Sequence, residues 1–382
     1  MRLGLDARTI YWPTRRGTGR NLIDLYRGVA QARPDWRVTA YHRLSGDVPS
    51  LLPSPQVEPR YMDMPGDRFE AWGRWRLPMA AWRDGVDLLH CPANHCPSIM
   101  PCPTLVTIHD LIPLDMPDSL PAAQVRRFEQ SVVTACRKAA GIVCPSQYTA
   151  NRLIEEFDAD PSRLTVNAWA ADSSMELAPP EDWEPVLQRY RIDGHFVLHF
   201  GASDPRKNTR GMIQAWAMLP RQTRRHWKLL VVGLNDRAKA DLTEMVSRLG
   251  LQSSVDLHGF AADAHLPVLL SAASVLAYPS LSEGFGLPIL DAWATEAAVL
   301  CSNTTSLPEV AGDAAVQVDP AEPHAIAKGL ARLLNDPILR GQLVQRGKQR
   351  LEQYSWDHTV RRFLGAVERA AGGQNLQLAQ AA

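Results

Sequence analysis

The stretch SVLAYPSLSEGFGLPILDAW, Ser274 to Trp293, passes from an apolar run through a two-glycine loop into an amphipathic segment. "SVLAYPS" reads as a buried strand, "LSEGFG" as a loop, and Pro288 as the first helical residue, a favoured place for proline. Gly284 and Gly286 let backbone approach a ligand closely, and a helix N-terminus offers its amides to an anion. Glu283 lies in the loop and Asp291 is expected on the first helical turn. Two carboxylates at such a place accept from ribose or sugar hydroxyls, or else cap the helix and complement its dipole. The stretch alone leaves both readings open.

The same strand–loop–helix rhythm runs outward in both directions. Candidate strands are "LGLDA", "RVTAYH", "VDLLHC", "TLVTIHD" and "GIVCPS" in the first half, and "FVLHFGA", "KLLVVGL", "SVDLHGF", "SVLAYPS", "AVLCS" and "AAVQVD" in the second. Between them lie amphipathic segments such as "NTRGMIQAWAML" and "RAKADLTEMVSRLG". Strand and helix in alternation predict the α/β class, with parallel sheets covered on both faces. The rhythm breaks at the Pro-Pro and acidic stretch around residues 173–193, which reads as a linker. The expected architecture is a Rossmann-like domain over 1–172, a second over 194–355, and a final amphipathic helix over 356–372 ending at Gly-Gly. In open parallel sheets ligands bind at the carboxyl ends of the strands, so a site would lie in the cleft between two facing domains.

Composition narrows the classes. The chain has 382 residues, 45% of them hydrophobic, enough for two or three domains with substantial cores. Lys plus Arg number 41 and Asp plus Glu number 41, so no net field attracts nucleic acid. The N-terminus lacks the apolar core of a signal peptide, no apolar run is long enough to span a bilayer, and the chain is expected in the cytoplasm. Six cysteines include no C-x-x-C pair; those in "HCPANHCPSIMPC", beside His90 and His95, fit no usual zinc spacing and read as reduced thiols.

Further loops after strands carry chemistry. In "FGASDPRKNTRGM", Arg206 and Lys207 stand before a helix beginning near Asn208, a strong arrangement for phosphate. "RRGTGRN" offers Gly17 and Gly19 between the first strand and the next helix, a weak glycine signal by itself. "TIHDLIP" closes a strand with His109 and Asp110, where a histidine assists proton transfer, binds a hydroxyl or is structural. In "FDADPSR", Asp158 and Asp160 make a D-x-D after a helix and not after a strand, so this is read as an ordinary turn and no metal is expected. In "RFEAWGRWRLPMAAWRDG", Trp72, Trp75, Met79 and Trp82 recur at helical spacing with arginines between. That pattern suits an interfacial helix, and a core-facing stripe is the preferred reading.

Taken in order, these loops, with "VDLLHCP", "CPSQYTANRL", "SNTTSLPEVAGDAAVQVDP" and "YSWDHTVRRFL", resemble the retaining nucleotide-sugar glycosyltransferases of the two-Rossmann (GT-B) type. The likeness is to family four, which includes bacterial polysaccharide mannosyltransferases, and it runs from Asp6 to about Phe363. The resemblance implies that Glu283 meets the transferred sugar, and that backbone at Gly284, Phe285, Gly286 and Leu287 holds sugar hydroxyls and phosphate. It implies that Asp291, where the family usually has glutamate, grasps the ribose, and that Arg206 and Lys207 neutralise the diphosphate. Gly17 and Gly19 would admit the donor closely, Phe260 would contact the nucleobase, and His109 would line the acceptor side. The last helix would cross back to the first domain. Ala202 stands where many relatives carry arginine, and "TVNAWAAD" lacks their Asn-Gly turn.

The function so implied is metal-independent, cofactor-free transfer of a hexose to a lipid-linked or growing oligosaccharide, including a polyprenyl-diphosphate-linked acceptor. The expected donor is GDP-mannose, with dTDP-rhamnose or a UDP-sugar as alternatives, and the route is front-face attack with retention. Peripheral contact with the inner face of the cytoplasmic membrane would accompany such an acceptor. A non-catalytic nucleotide-binding scaffold and a sugar-nucleotide epimerase of the same shape are the rival classes.

Overall fold

The computed structural model describes residues 1–11, 17–43, 52, 54–63 and 71–380, with side chains through 372. The chain divides into two compact units, Met1–Ala170 with Ser355–Ala382, and Ala171–Tyr354.

The first unit contains β1 (Arg2–Asp6), β2 (Arg37–His42), β3 (Val57–Tyr61), β4 (Leu88–Cys91), β5 (Thr104–Thr107), β6 (Gly141–Cys144) and β7 (Leu164–Val166). They form one parallel sheet in the order β3-β2-β1-β4-β5-β6-β7. β1 pairs with both β2 and β4, with Leu3 opposite Val38 and Leu88, so the strand order reverses there. The second unit contains β8 (His195–Phe200), β9 (Trp227–Val232), β10 (Val255–Leu257), β11 (Val275–Tyr278), β12 (Ala298–Ser302) and β13 (Val316–Val318). Their order is β10-β9-β8-β11-β12-β13, all parallel, and the reversal falls between β8 and β11. Both sheets thus have the doubly wound α/β topology that the strand–helix alternation predicts.

Every residue of β11 and β12 is buried, as expected for strands covered on both faces. The helix Thr209–Met218 lays Met212, Ile213, Ala215 and Trp216 into the second core. Burying such a large apolar side chain contributes about 1.5–3 kcal/mol.

Four local features differ from the sequence expectation. β3 and β7 are additional strands at the sheet edges; Pro59 inside β3 is tolerated because an edge strand needs fewer ladder donors. The stretch 173–193 is not structureless, since it holds a 3-10 turn Pro180–Asp182 and the helix Trp183–Arg189 within the second unit. Ala178 donates its amide to Ser271 Oγ at 2.9 Å, and Trp183 Nε1 donates to the Ala178 carbonyl at 3.0 Å. The last helix, Trp356–Gln380, continues past Gly372 because the Leu, Gln and Ala that follow are good helix formers. Its Val360, Phe363, Ala366, Val367 and Ala370 make a buried stripe, and Thr359 Oγ1 donates to the Ala168 carbonyl at 2.8 Å.

The fourth difference concerns the tryptophan segment. Trp72 is fully buried and donates Nε1 to the Met62 carbonyl at 2.9 Å, whereas Trp75, Met79 and Trp82 are 48%, 61% and 65% exposed. A π-helical turn, Trp72–Arg76, precedes the α-helix Leu77–Arg83. Its wider winding separates Trp72 from the other three, so the expected core-facing stripe is one core residue and three on the surface. Among the described residues no helix is long and apolar enough to cross a membrane.

Candidate active site

In the second unit the loops after β8 and β11 meet because their strands are neighbours at the order reversal. After β8 the chain makes a 3-10 turn, Pro205–Lys207, in which Asp204 Oδ1 accepts from the Arg206 amide at 2.9 Å. Asn208 follows in a left-handed conformation, φ 56°, and the helix Thr209–Met218 starts directly after it. The Asn208 side chain donates to the Pro279 and Pro320 carbonyls at 3.0 and 2.7 Å, and the Leu281 amide donates to the Arg206 carbonyl at 2.8 Å. These bonds lock the two loops together.

Glu283 sits at the junction, 8% exposed. Its Oε1 accepts from Lys207 Nζ at 2.8 Å and from Tyr278 Oη at 2.6 Å, and its Oε2 pairs with Arg206 Nη1. Lys207 Nζ also donates to Tyr278 Oη at 2.8 Å. Arg206 Nε donates to Asp204 Oδ2 at 3.1 Å, and Nη1 to the Ser282 carbonyl at 3.3 Å. Among the described residues this leaves both N–H groups of Arg206 Nη2 and the third N–H of Lys207 without a protein partner. Burial pushes the Glu283 carboxyl up, but Lys207 and Arg206 outweigh it and hold the group below the usual carboxylate range. Burial pulls Arg206 down, but Glu283, Tyr278 and Asp204 together outweigh it, and the guanidinium lies above its ordinary value. For Lys207, burial together with Arg206 outweighs Glu283, so the ammonium lies below its ordinary value.

The glycine loop is fixed from behind. Ser306 Oγ lies 2.8 Å from both the Glu283 and the Phe285 carbonyls. In a trans peptide the N–H points opposite to the C=O, so the Gly284 and Gly286 amides are turned away from Ser306. Gly286 has φ 133°, and a Cβ there would stand 2.8 Å from Leu307, so only glycine fits. The helix Leu287–Ala294 begins at Leu287, with Pro288 second; Asp291 therefore falls on the second turn, a correction to its expected place on the first. Its Oδ1 accepts from the Asp172 amide at 3.3 Å. Phe260, three residues beyond edge strand β10, is 83% exposed.

The first unit carries the other candidates. Gly17 opens the helix Gly17–Ala32 and Gly19 is its third residue, so the glycines form the first helical turn and not the loop that the sequence led us to expect. Arg15 and Arg16 lie outside the described residues. His109 donates its amide to Asn94 Oδ1 at 2.6 Å, and its Nε2 is 2.6 Å from the Pro92 carbonyl. That carbonyl requires a protonated Nε2, which makes Nδ1 the acceptor nitrogen of a neutral ring. Burial keeps the imidazole below its usual pKa, and the ring stacks on Trp169 at 5.9 Å.

The remaining sequence features are structural. Asp158 is the left-handed cap of the helix Gln147–Phe157, and Asp160 Oδ1 accepts from the Ser162 amide at 2.9 Å. His90 bridges Tyr26 Oη at 2.7 Å and Thr107 Oγ1 at 2.9 Å, and burial pushes the Cys96 thiol up to about 12. Among the described residues no group of three or more His, Cys, Asp or Glu is placed to hold a metal. Sequence reasoning missed Tyr278, Asn208 and Ser306. Each acts on a loop far away in sequence, and no spacing signals such a contact.

Residues 189–350 match the family described as Glycosyl transferases group 1, and residues 15–168 match Glycosyltransferase Family 4. The chain is 30% identical over 369 residues to O-antigen chain mannosyltransferase B of Escherichia coli, covering 92% of this chain and 96% of that protein. It is 29% identical over 267 residues to the serotype-specific mannosyltransferase WbdA of Escherichia coli, covering 68% of this chain and 33% of that longer protein. Among solved structures, Anabaena HepE in complex with UDP-glucose shares the fold, with a TM-score of 0.76 at 19% identity over 96% of this chain and 99% of that one. With two Rossmann-like sheets, both family matches and a relative aligned along nearly its whole length, the chain belongs to the GT-B glycosyltransferases of group 1 and family 4, and it is a hexosyltransferase.

Proposed function

We propose that the protein transfers mannose from GDP-mannose, with retention and without a metal, to a lipid-linked or growing oligosaccharide of a bacterial surface polysaccharide. The observation that carries this reading is the set of unpartnered N–H groups on Arg206 and Lys207, held in place by Glu283 and Tyr278. The mannosyl donor is taken from the O-antigen mannosyltransferase relative, and a nucleotide-sugar ligand also suits the fold shared with HepE.

The chemistry follows from charge. Breaking the sugar–phosphate bond builds negative charge on the leaving diphosphate, and fixed donors stabilise it without reorganising. Arg206, Lys207 and the amides of Gly284, Phe285, Gly286 and Leu287 take that role. Glu283 positions the two cations and presents its edge to the sugar. The bond from the anomeric carbon to phosphate oxygen breaks, a bond to the acceptor oxygen forms on the same face, and the acceptor proton passes to the departing phosphate oxygen. Asp291 binds the ribose, through water where the shorter side chain falls short, and Phe260 contacts the base. Gly17 and Gly19 admit the donor closely, and His109 belongs to the acceptor side, where its Nδ1 accepts from a hydroxyl. The two units are assigned as domains on this basis, and the protein works in the cytoplasm.

The test is a panel of GDP-mannose, dTDP-rhamnose and UDP-sugars offered with and without a lipid-linked acceptor. Mannose transfer with release of GDP, an unchanged anomeric configuration by NMR and indifference to EDTA are expected. Turnover of another donor alone would reassign the base and sugar. Nucleotide binding without turnover of any donor would leave a scaffold.

A further inference from the structure

We propose that Thr305 is a positioning residue for the transfer reaction, held in a left-handed conformation in which its hydroxyl grips the backbone of Glu283. Among the described residues six non-glycines have positive φ: Asn94, Asp158, Arg191, Asn208, Glu296 and Thr305. Asn and Asp tolerate that region. Arg191 and Glu296 follow helices in the ordinary left-handed cap, with the Ile192 amide donating to the Leu187 carbonyl at 3.0 Å and the Ala297 amide to the Ala292 carbonyl at 2.8 Å. Thr305, at φ 58°, has neither reason. It is β-branched, and it precedes the helix Leu307–Ala311 instead of closing one. A β-branched residue in this region is strained, and such strain persists where the surrounding structure enforces it, as at functional sites.

The contacts of Thr305 show what the strained residue holds. Its Oγ1 accepts from the Glu283 amide at 3.2 Å, across 22 residues of sequence. The carbonyl of that same peptide, on Ser282, accepts from Arg206 Nη1 at 3.3 Å. The N–H and C=O of a trans peptide point opposite ways, so Thr305 and Arg206 hold one peptide plane by its two edges. Two neighbours extend the template. Ser306 Oγ lies 2.8 Å from the Glu283 and Phe285 carbonyls, and Ser302 Oγ donates to the Ser280 carbonyl at 2.5 Å. Both serines are fully buried. The loop after β12 thus presents three hydroxyls to the loop after β11, and Thr305 is the one that meets an N–H. Without its hydroxyl the 282–283 peptide can turn, which takes the Ser282 carbonyl away from Arg206 and shifts the Glu283 carboxylate relative to Lys207. A displacement of about 1 Å among reacting groups costs up to about 10²-fold in rate.

This inference rests on the proposed role of the Glu283 clasp in transfer, and it holds for any donor. The experiment measures kcat and KM of the full chain below its melting temperature, with whichever donor it turns over, and melting by circular dichroism. Thr305→Ala removes the hydroxyl and should lower kcat about tenfold, more than it raises the donor KM. Thr305→Ser keeps the hydroxyl and should stay within about threefold of the parent. Thr305→Gly also lacks the hydroxyl but suits a left-handed backbone, so it should melt above Thr305→Ala while turning over as slowly. A merely structural residue would not separate the two readouts in this way. Arg191→Gly, left-handed at a helix end outside the clasp, should turn over as the parent does. Parental kcat in Thr305→Ala, or a change confined to KM, would overturn the proposal. So would a Thr305→Ser variant as slow as Thr305→Ala, or a Thr305→Gly variant that melts below Thr305→Ala. Lys207→Ala separates this inference from the reading beneath it. If Lys207→Ala is slow and Thr305→Ala is not, the role of Thr305 alone falls; parental turnover in Lys207→Ala removes the clasp from the reaction, and the proposal with it.

Discussion

The strand ends of the two units are built differently. In the first unit the most buried ion pair among the described residues joins near neighbours: Arg8 Nε donates to Asp6 Oδ1 at 2.9 Å, two residues away, while the guanidinium also lies 4.5 Å from the Trp72 ring. His109 there is held by uncharged partners. In the second unit Lys207 and Glu283 are 76 residues apart, and their pairing clasps two loops from neighbouring strands. A local pair survives as long as its loop does, whereas a distant pair exists only when the whole sheet is assembled. The second arrangement fixes its N–H donors in advance, as the proposed stabilisation of a leaving diphosphate requires.

That contrast can be broken by substitution. Lys207→Ala should cut kcat about 10²–10³-fold by removing a fixed donor to developing charge, with an unchanged circular dichroism spectrum. Near-normal turnover would detach the clasp from the chemistry. Glu283→Gln leaves two buried cations without their shared anion and should cost about 3 kcal/mol or more in denaturant unfolding, a loss assigned to the second unit. An unchanged midpoint would mean the clasp is dispensable for the fold. Tyr278→Phe removes the hydroxyl between Lys207 and Glu283, and a stability loss of about 1.5–3 kcal/mol is expected for a bond to charged groups.

The smallest effect per step comes from two of the buried neutral histidines, His90 in the first unit and His199 in the second. Burial, helped by His109 and opposed by Asp6, lowers His90 from 6.5 to about 3, and burial lowers His199 from 6.5 to about 4. Below pH 6.5 the unfolded chain binds protons that these folded sites refuse, so stability falls with falling pH. The fall runs down to about 3 for the first unit and about 4 for the second. Each histidine contributes up to about 1.4 kcal/mol per pH unit, measurable as a drop in melting temperature that His90→Gln or His199→Gln should flatten.

Legibility followed the range of the interaction. All six strands of the second sheet were readable, because each is a short apolar run bounded by turn residues. β3 escaped because its exposed Glu58, Pro59 and Tyr61 and its half-buried Arg60 erase the apolar signal at an edge. Arg206, Lys207 and Glu283 stood out as charged residues in loops after strands. Their mutual pairing, the Tyr278 bridge and the Ser306 anchor did not, since these depend on β8 and β11 lying side by side.

The amino-acid sequence by itself determined the alternation of strands and helices, the glycines at turns and the family resemblance, because periodicity and turn chemistry act over a few residues. Only the tertiary structure decided which loops touch, which cations keep unpartnered N–H groups, and that Trp72 turns inward while Trp75, Met79 and Trp82 face out. Strand order and helix winding bring distant residues together, and neither is written in local spacing.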